Sequence, residues 1–458
     1  MPDAAAAEGA GALPGRFLFN INFVFLATLV SNTVGFFVAV LLARALGPEG
    51  RGETALYQAA VGIGFAFLNF GISSASFYFV ARKEMTERQS MEAGVSITLL
   101  AATVTAVAVL IARLFWGDDL AANHIPYGLA VMMIPALIQL RLVEALLRAQ
   151  GRFGAMNALE LGLPLSMLAT LGGGELVFGL TVSRAVWAWS LAFLPPLLVG
   201  YVMLGPSVWP RRLAPVELIV RAVRFGGQSQ LTNLIQMANY RLDVFMILIF
   251  VNTAGVGLYT VSTSQTEGLW IVANSVAIVL LTNITAGDAA NAARLTPIVC
   301  RNTLLVTAVS ALVAGLIAGF WIPVVFGGDY QDSVLPYVWL LPGTVALAGS
   351  KILAAYVFSR GRPILNAWIG IATLATTIPS NVVLIHFFGV AGAAASTSIG
   401  YSLDLALTAL AYRYLSGASI RSALLPQRSD VTIYTDGLRA GLQRLREIRR
   451  RPADEPVG

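Results

Sequence analysis

The chain has 458 residues, of which 57% are hydrophobic and only 12% are charged, about half of the roughly 25% charged residues that soluble domains carry. Its mean hydropathy is +0.74, and apolar runs of about 20 residues, long enough to cross a bilayer core of roughly 30 Å, recur along almost the whole chain. This composition excludes a soluble globular protein and predicts an all-α, polytopic membrane protein. The single cysteine, Cys300, excludes an internal disulfide and a cysteine-based metal cluster. His124 and His386 lie far apart in the sequence, so we expect no metal site and no cofactor.

Residues 1–16 predict a flexible cytoplasmic segment, because they lack the charged start and compact apolar core of a cleaved signal peptide. After this segment, hydropathy and the positions of glycine, proline and charged residues predict about twelve membrane-spanning helices. The spans lie near 17–46, 53–81, 91–115, 124–148, 154–172, 175–204, 222–250, 256–284, 298–326, 332–359, 364–388 and 391–415.

Arginine and lysine concentrate in alternate connections between these spans. The cation-rich connections contain Arg82, Lys83 and Arg88; Arg148 and Arg152; Arg211, Arg212, Arg221 and Arg224; Arg294 and Arg301; and Arg360 and Arg362. The other connections contain almost none, except the first, where Arg44 and Arg51 are offset by two glutamates. Because cytoplasmic loops carry the excess of positive charge, both termini are predicted to lie in the cytoplasm and the first loop outside.

Two Gly-x-Gly motifs recur at a spacing that predicts an internal repeat. Gly50 and Gly52 belong to the first motif, and Gly255 and Gly257 lie 205 positions later (255 − 50 = 205). We expect each motif to form a tight outer turn.

The repeat continues farther along the chain. A five-residue insertion shifts the offset from 205 to 210, and at this offset Gly-Arg pairs begin at Gly151 and at Gly361 (361 − 151 = 210). Each half contains six spans, so both halves enter the membrane from the same side, which predicts a pseudo-two-fold axis along the membrane normal. The predicted organisation is an N-lobe at 17–204, a cytoplasmic linker at 205–221, a C-lobe at 222–415 and a basic tail at 416–458.

Two cations deep in spans are candidates for a substrate site, because a charge at the bilayer centre costs about 2.5–3.5 kcal/mol on insertion scales. Arg141 and Lys351 are 210 positions apart (351 − 141 = 210), which is the repeat offset for this region. Equivalent positions predict that they lie at similar depth on opposite sides of a central cavity. The alternative for Arg141 is an ion pair with Glu144 on the same helix face.

Three further arginines are candidates for substrate binding. Arg184 and Arg241 fall inside predicted spans, where they either line a cavity or pair between helices, and Asp243 points away from Arg241 on a helix. Arg44 lies near the outer end of its span, where it either contacts a phosphate or extends to the lipid head groups. A cavity with surplus cations suits an anionic solute, and arginine offers bidentate donors to phosphate.

Several segments resemble a known family. "LLARALGPEGRGETALYQAAVGIGFAFLNFGISSASFYFVAR" resembles the first two spans of bacterial polysaccharide-transporter flippases of the O-antigen and exopolysaccharide type. "RFGGQSQLTNLIQMANYRLDVFMI" and "GVGLYTVSTSQTEGLW" resemble their seventh and eighth spans, and "SRGRPILNAWIG" and "GVAGAAASTSIGYSL" resemble their last three. The resemblance covers roughly residues 17–415.

This resemblance implies the fold of the multidrug/oligosaccharidyl-lipid/polysaccharide exporter superfamily, with two six-helix lobes in a V around a central cavity. It also implies transport by alternating access in the bacterial inner membrane. The implied cargo is an oligosaccharide linked to undecaprenyl diphosphate, and the implied partners are membrane lipids and the polysaccharide assembly machinery. The coupling ion stays open between H⁺ and Na⁺.

Two other functions are alternatives. A drug/cation antiporter on the same fold generally needs buried carboxylates, and residues 17–48 contain no Asp or Glu. A membrane glycosyltransferase or polysaccharide polymerase needs catalytic carboxylates in a sizeable loop, and Glu217 is the only acid of the interlobe linker. Both observations favour the flippase.

The tail after the last span predicts a short amphipathic helix. Leu438, Leu442, Leu445 and Ile448 recur at three- and four-residue steps among arginines. A basic helix of this kind either lies on the anionic cytoplasmic leaflet or docks to a cytoplasmic partner.

Overall fold

The structure is a computed structural model and describes residues 15–122, 128–286 and 289–427. The predictions for residues 1–14, for His124 and for the amphipathic helix of the tail fall outside these residues. The α-helices are α1 (Gly15–Leu68), α2 (Ile72–Ala81), α3 (Glu87–Ala122), α4 (Gly128–Ala149), α5 (Phe153–Phe178), α6 (Val182–Leu191), α7 (Leu194–Leu204), α8 (Val216–Phe250), α9 (Thr253–Ala286), α10 (Ala289–Leu316), α11 (Ala318–Phe326), α12 (Val334–Ser359), α13 (Pro363–Ser416) and α14 (Ile420–Leu424). A 3₁₀ helix, Gly328–Ser333, precedes α12. The all-α prediction is therefore confirmed for the part of the chain that the structure describes.

Seven helical segments in the described ranges are long and apolar enough to cross a membrane. They are Leu29–Leu68, Glu87–Ile111, Phe153–Phe178, Val182–Leu204, Ala293–Leu316, Gly328–Ser359 and Ile364–Ser416. The first and the last of these are each broken once by non-helical backbone, at Gly47 and Gly389. The last therefore covers two predicted spans, and the first covers one predicted span and part of the next, which continues in α2. The chain is thus a multi-span membrane protein, and the count of twelve spans stays a prediction.

The predicted outer turn at Gly50 and Gly52 is wrong, because both residues lie inside α1. The turn is at Gly47, whose φ of 66° lies in the left-handed region that favours glycine. The helix resumes at Pro48, a residue suited to the first helical position because it has no N–H to leave unsatisfied. We call the two parts of this helix α1a, before Gly47, and α1b, after it.

The Gly-x-Gly motifs instead allow two helices to touch. The second motif also lies within a helix, α9, which begins at Thr253. A Cβ atom on Gly52 would stand 1.9 Å from the carbonyl oxygen of Thr253, and a Cβ atom on Gly257 would stand 1.9 Å from that of Pro48. Helices α1b and α9 therefore cross with their backbones in contact, which only glycine permits.

Two pairs of glycines that the predicted repeat makes equivalent have a positive φ. Gly151 and Gly361 both have a φ of 70°, and each ends one helix just before the next begins. Gly179 and Gly389, also 210 positions apart, have φ values of 66° and 56°. The paired glycines thus share a positive φ, although ψ differs between Gly179 (142°) and Gly389 (−134°). The repeat and its two-fold axis stay predictions.

Contacts divide the chain into two compact units. The first unit comprises Met1–Gly268, Gly315–Leu340 and Gly370–Gly400, and the second comprises Leu269–Ala314, Leu341–Ile369 and Tyr401–Gly458. The core of the first unit includes Ile138, Leu142 and Leu146 of α4, all of which are fully buried. In the second unit, Cys300 packs in a cluster with Tyr356 and Tyr412, whose rings meet edge to face at 4.9 Å. The lobe boundaries derived from the repeat stay predictions.

Candidate functional site

A cavity of about 320 Å³ lies within the first unit, where α1b, α8 and α9 meet. Its polar lining contains two arginines, one glutamate, one glutamine and three hydroxyl side chains. These residues are Arg51 and Gln58 of α1b, Arg241 of α8, and Thr260, Thr263, Ser264 and Glu267 of α9. The arginines outnumber the glutamate, so the described lining carries a net positive charge.

Arg51 is the most buried cation of this cavity, at 6% exposure. It lies in the first turn of α1b, because the helix resumes at Pro48. Its Nη1 donates one long hydrogen bond of 3.4 Å to Thr54 Oγ1. Its Nε has no hydrogen-bond partner among the described residues. Arg51 therefore places a guanidinium with one enclosed, unsatisfied donor in the wall of the cavity, and an unpaired buried donor of this kind is costly.

Arg241 faces the same cavity and forms an ion pair across it. Its Nη2 lies 3.4 Å from Glu267 Oε1, and both side chains are about one-third exposed, at 34% and 35%. The pair joins α8 to α9 and offsets the charge of Arg241. Among the described lining residues, the surplus positive charge therefore belongs to Arg51.

The three hydroxyl groups of α9 face the cavity as hydrogen-bond acceptors. Thr260, Thr263 and Ser264 donate their hydrogens to backbone carbonyls one turn earlier in α9, at 2.7, 3.1 and 2.9 Å. A hydroxyl oxygen whose hydrogen is used in this way keeps lone pairs for an outside donor. This wall can therefore accept hydrogen bonds from a cargo that carries hydroxyl groups.

Asp243 anchors a second polar cluster beside the cavity. The residue is 5% exposed, and its carboxylate accepts hydrogen bonds from Tyr259 Oη, from the Val244 N–H at 2.8 Å and from Thr397 Oγ1 at 3.4 Å. Tyr259 and Thr397 also contact each other at 3.0 Å. Asp243 thus ties α8 to α9 and α13, and it faces away from Arg241, as the sequence predicts.

Two of the predicted substrate-binding cations have local partners elsewhere. Arg141 forms an ion pair of 2.8 Å with Glu144 on α4, the alternative that the sequence left open, and its side chain is 45% exposed. Lys351 of α12 lies over the ring of Trp270, with Nζ 5.0 Å from the ring centroid, a cation–π contact. Neither residue is among the described residues that line the cavity of Arg51.

The other two predicted cations bind the carboxyl ends of helices. Arg44 donates to the carbonyl oxygens of Val325 at 2.7 Å and Val324 at 2.5 Å, near the end of α11. Arg184 donates to the carbonyl oxygen of Phe178, the last residue of α5, at 2.6 Å. It lies in the first turn of α6 and not nine residues inside a span, because α5 continues to Phe178, past the predicted boundary near 172. Cations are favourable at such helix ends because the carbonyl dipoles point towards them.

Sequence reasoning identified Arg241 but missed Arg51. Arg51 was interpreted as a loop charge because glutamates flank it at positions 49 and 53. The signal that could have identified it is Pro48 directly after Gly47, since glycine often follows a helix end and proline often begins the next helix. That pattern places Arg51 within a helix.

Three solved structures with a similar fold are a flippase and two transporters. The lipid II flippase MurJ, in an inward closed conformation, superposes with a TM-score of 0.72 at 12% sequence identity, over 87% of this chain and 88% of MurJ. An inward-facing multidrug resistance MATE family transporter gives a TM-score of 0.63 at 14% identity, over 84% of this chain and 94% of its own. A MOP superfamily transporter from Pyrococcus furiosus superposes with a TM-score of 0.59 at 14% sequence identity, over 87% of this chain and 96% of its own.

These similarities show that this multi-pass membrane protein has a fold like that of MurJ and of MOP superfamily transporters. The sequence profile of the polysaccharide biosynthesis protein family matches residues 17–281, more than half of the chain. The chain therefore belongs to this family, and the family resemblance predicted from the sequence is confirmed. Comparison with curated proteins gives no match.

Proposed function

We propose that this protein is a flippase that moves an oligosaccharide linked to undecaprenyl diphosphate from the cytoplasmic to the outer leaflet of the bacterial inner membrane. The observation that carries the proposal is Arg51, a nearly buried guanidinium whose Nε donor is unused among the described residues, in a cavity with surplus positive charge. An anionic cargo would lower the cost of such a group, because it brings both hydrogen-bond acceptors and the opposite charge.

The proposed cargo matches the cavity in its two polar parts. Its diphosphate offers oxygen atoms that a guanidinium binds with two parallel hydrogen bonds, and Arg51 has donors for them. Its sugar hydroxyls can donate to the hydroxyl oxygens of Thr260, Thr263 and Ser264. The polyprenyl chain is apolar, so its transfer from lipid into this polar cavity is unfavourable, and it stays in the bilayer.

The remaining cations take different proposed roles. The repeat offset makes Arg141 and Lys351 equivalent, and we propose them as further phosphate contacts along the transport path. We propose structural roles for Arg44 and Arg184, because backbone carbonyls already accept hydrogen bonds from their guanidinium groups.

Replacement of Arg51 tests this function. In cells that lack the gene, we expect the wild-type protein to restore surface polysaccharide and Arg51→Ala to leave lipid-linked oligosaccharide on the cytoplasmic leaflet. Arg51→Lys should retain part of the activity, since lysine keeps the charge but loses the bidentate geometry. Arg413→Ala is the matched control, because Arg413 is an exposed arginine at the end of α13. Normal export by Arg51→Ala, at wild-type abundance, would contradict the proposal.

One observation favours a second candidate, a cation antiporter on the same fold. Asp243 is a buried carboxylate, the kind of group with which an antiporter binds protons or cationic solutes. In the described structure the Asp243 carboxylate already accepts three hydrogen bonds, whereas the Nε of Arg51 has no acceptor among the described residues. Transport of a cationic dye by the purified protein in liposomes, without transport of a lipid-linked sugar, would favour this alternative.

A further inference from the structure

A surface groove of about 690 Å³ lies at the start of α8, apart from the cavity of Arg51. Four apolar side chains and three charged ones line it. They are Phe79 of α2 and Val216, Glu217, Val220, Arg221, Arg224 and Phe225 of α8. The arginine distribution predicts that this end of α8 faces the cytoplasm.

The two arginines of the groove present their charges together. Arg221 and Arg224 are three positions apart on α8, which places them on one helix face. The guanidinium of Arg221 lies 4.6 Å from the centroid of the Phe79 ring, and its Nη2 contacts Glu84 Oε2 at 2.6 Å. The side chain of Arg221 is still 49% exposed, and Arg224 is exposed as well. Two neighbouring guanidinium groups match a head group with two phosphates.

Beside these cations, the groove exposes an apolar surface. Val216, Val220 and Phe225 are 69%, 56% and 37% exposed. Apolar side chains next to arginines at a membrane interface fit an amphiphile that has an anionic head and a hydrocarbon tail. A soluble nucleotide or a free phosphate would leave this apolar surface uncovered.

The groove also lies beside the contact between α2 and α8. Any movement that separates these two helices would have to break this contact. A Cβ atom on Gly226 would stand 2.4 Å from the carbonyl oxygen of Gly71, so the backbones touch there. Phe225 stacks on Tyr78 with ring centroids 4.3 Å apart. The ion pair of Arg221 with Glu84, which follows α2, and the contact of Arg221 with Phe79 also hold this contact together. We call it the α2–α8 seam.

We propose that this groove is the entry site for the lipid-linked substrate, and that the incoming diphosphate takes Arg221 from Glu84 and so loosens the α2–α8 seam. This proposal rests on the proposed function, because the substrate is the one named there. The diphosphate and the Glu84 carboxylate compete for one guanidinium. Binding of the head group therefore removes one of the contacts that hold α2 against α8.

The test measures binding of farnesyl diphosphate, an isoprenyl diphosphate, to the full-length protein in nanodiscs of zwitterionic lipid. All variants are made in an Arg51→Ala background, which removes the proposed cavity site. We expect Arg224→Ala to weaken binding about tenfold, as the loss of a charged hydrogen bond does. Arg212→Ala, the matched control in the preceding linker, should change the dissociation constant less than about twofold, because Arg212 is 77% exposed and lies outside the groove.

Glu84→Gln tests the competition. It removes the anion that holds Arg221, so we expect farnesyl diphosphate to bind severalfold more tightly. Unchanged or weaker binding would refute the release of the seam. Equal losses in Arg224→Ala and Arg212→Ala would refute the groove as the site, and so would equal displacement of the probe by phosphatidylglycerol.

The outcomes separate this proposal from the proposed function. Loss of export in Arg51→Ala together with no binding at the groove would leave the flippase standing and remove the entry site. Diphosphate binding at the groove together with normal export by Arg51→Ala would support a diphosphate site at the groove and contradict the proposed role of Arg51 in export.

Discussion

Substitution of Gly52 by alanine tests the crossing of α1b and α9. A Cβ atom at this position would lie 1.9 Å from the carbonyl oxygen of Thr253 and 3.1 Å from the N atom of Gly257. Ordinary van der Waals contact begins at 3.4 Å, so the two backbones would have to separate by about 1.5 Å (3.4 − 1.9 = 1.5). Both neighbours are backbone atoms in helices, and they cannot move aside as a flexible side chain can.

The expected cost follows from two opposing effects. Overpacking of a close contact costs about 1–3 kcal/mol, and a backbone clash at 1.9 Å places Gly52→Ala at the upper end of that range. Replacing glycine by alanine in a helix also stabilises by about 1 kcal/mol. Gly35→Ala is the matched control, because Gly35 lies in α1a and a Cβ atom there meets nothing within 4 Å. The helix propensity gain is common to both variants, so their difference, about 3 kcal/mol, isolates the clash.

The assay is the free energy of unfolding from a titration with a denaturing detergent, with both variants purified under the same conditions. We expect Gly52→Ala to unfold at a lower detergent concentration than wild type, and Gly35→Ala at an equal or higher one. Equal stability of the two variants would refute the close crossing. Gly257→Ala should behave like Gly52→Ala, since its Cβ atom would meet the carbonyl oxygen of Pro48 at the same 1.9 Å.

Two further predictions concern topology and the Asp243 cluster. Thr181→Cys and Gly328→Cys should react with an impermeant thiol reagent from outside intact cells. Arg224→Cys should not react, because the arginine distribution predicts that Arg224 lies in the cytoplasm. Labelling of Arg224→Cys alone would reverse the predicted orientation. Tyr259→Phe removes the O–H donor to the Asp243 carboxylate and should lower the free energy of unfolding by about 1.5–3 kcal/mol; an unchanged value in the same titration would contradict that hydrogen bond.

The sequence predicts those parts of the fold that depend on composition and local backbone preference. Low charge and long apolar runs predict helices, and the Gly-Arg pairs at Gly151 and Gly361 predict helix ends, where both glycines indeed have a φ of 70°. The i, i+2 spacing of Arg241 and Asp243 predicts that the two side chains diverge, and their different partners confirm this. Each of these properties is determined within a few residues.

Properties that depend on distant segments are not visible in the sequence. A glycine at position 52 indicates only that the position needs a residue without a side chain. Both a tight turn and a close helix crossing have that need, so the sequence does not distinguish them. The partner of Gly52, Gly257, is more than 200 positions away, so only the folded chain identifies the crossing. The groove at α8 depends in the same way on Phe79 of α2, which is far from Arg221 in the sequence.

The sign of the charge in the cavity links the fold to the choice of cargo. Taking a guanidinium out of water costs several kcal/mol unless an anion or a set of acceptors compensates it. Glu267 compensates Arg241 at 3.4 Å, while Arg51, at 6% exposure, has one long hydrogen bond to a neutral hydroxyl. A cationic cargo would add to this cost by repulsion, and an anionic cargo would reduce it by accepting the unused donors of Arg51. The buried guanidinium of Arg51 therefore supports the proposed anionic cargo over a cationic one.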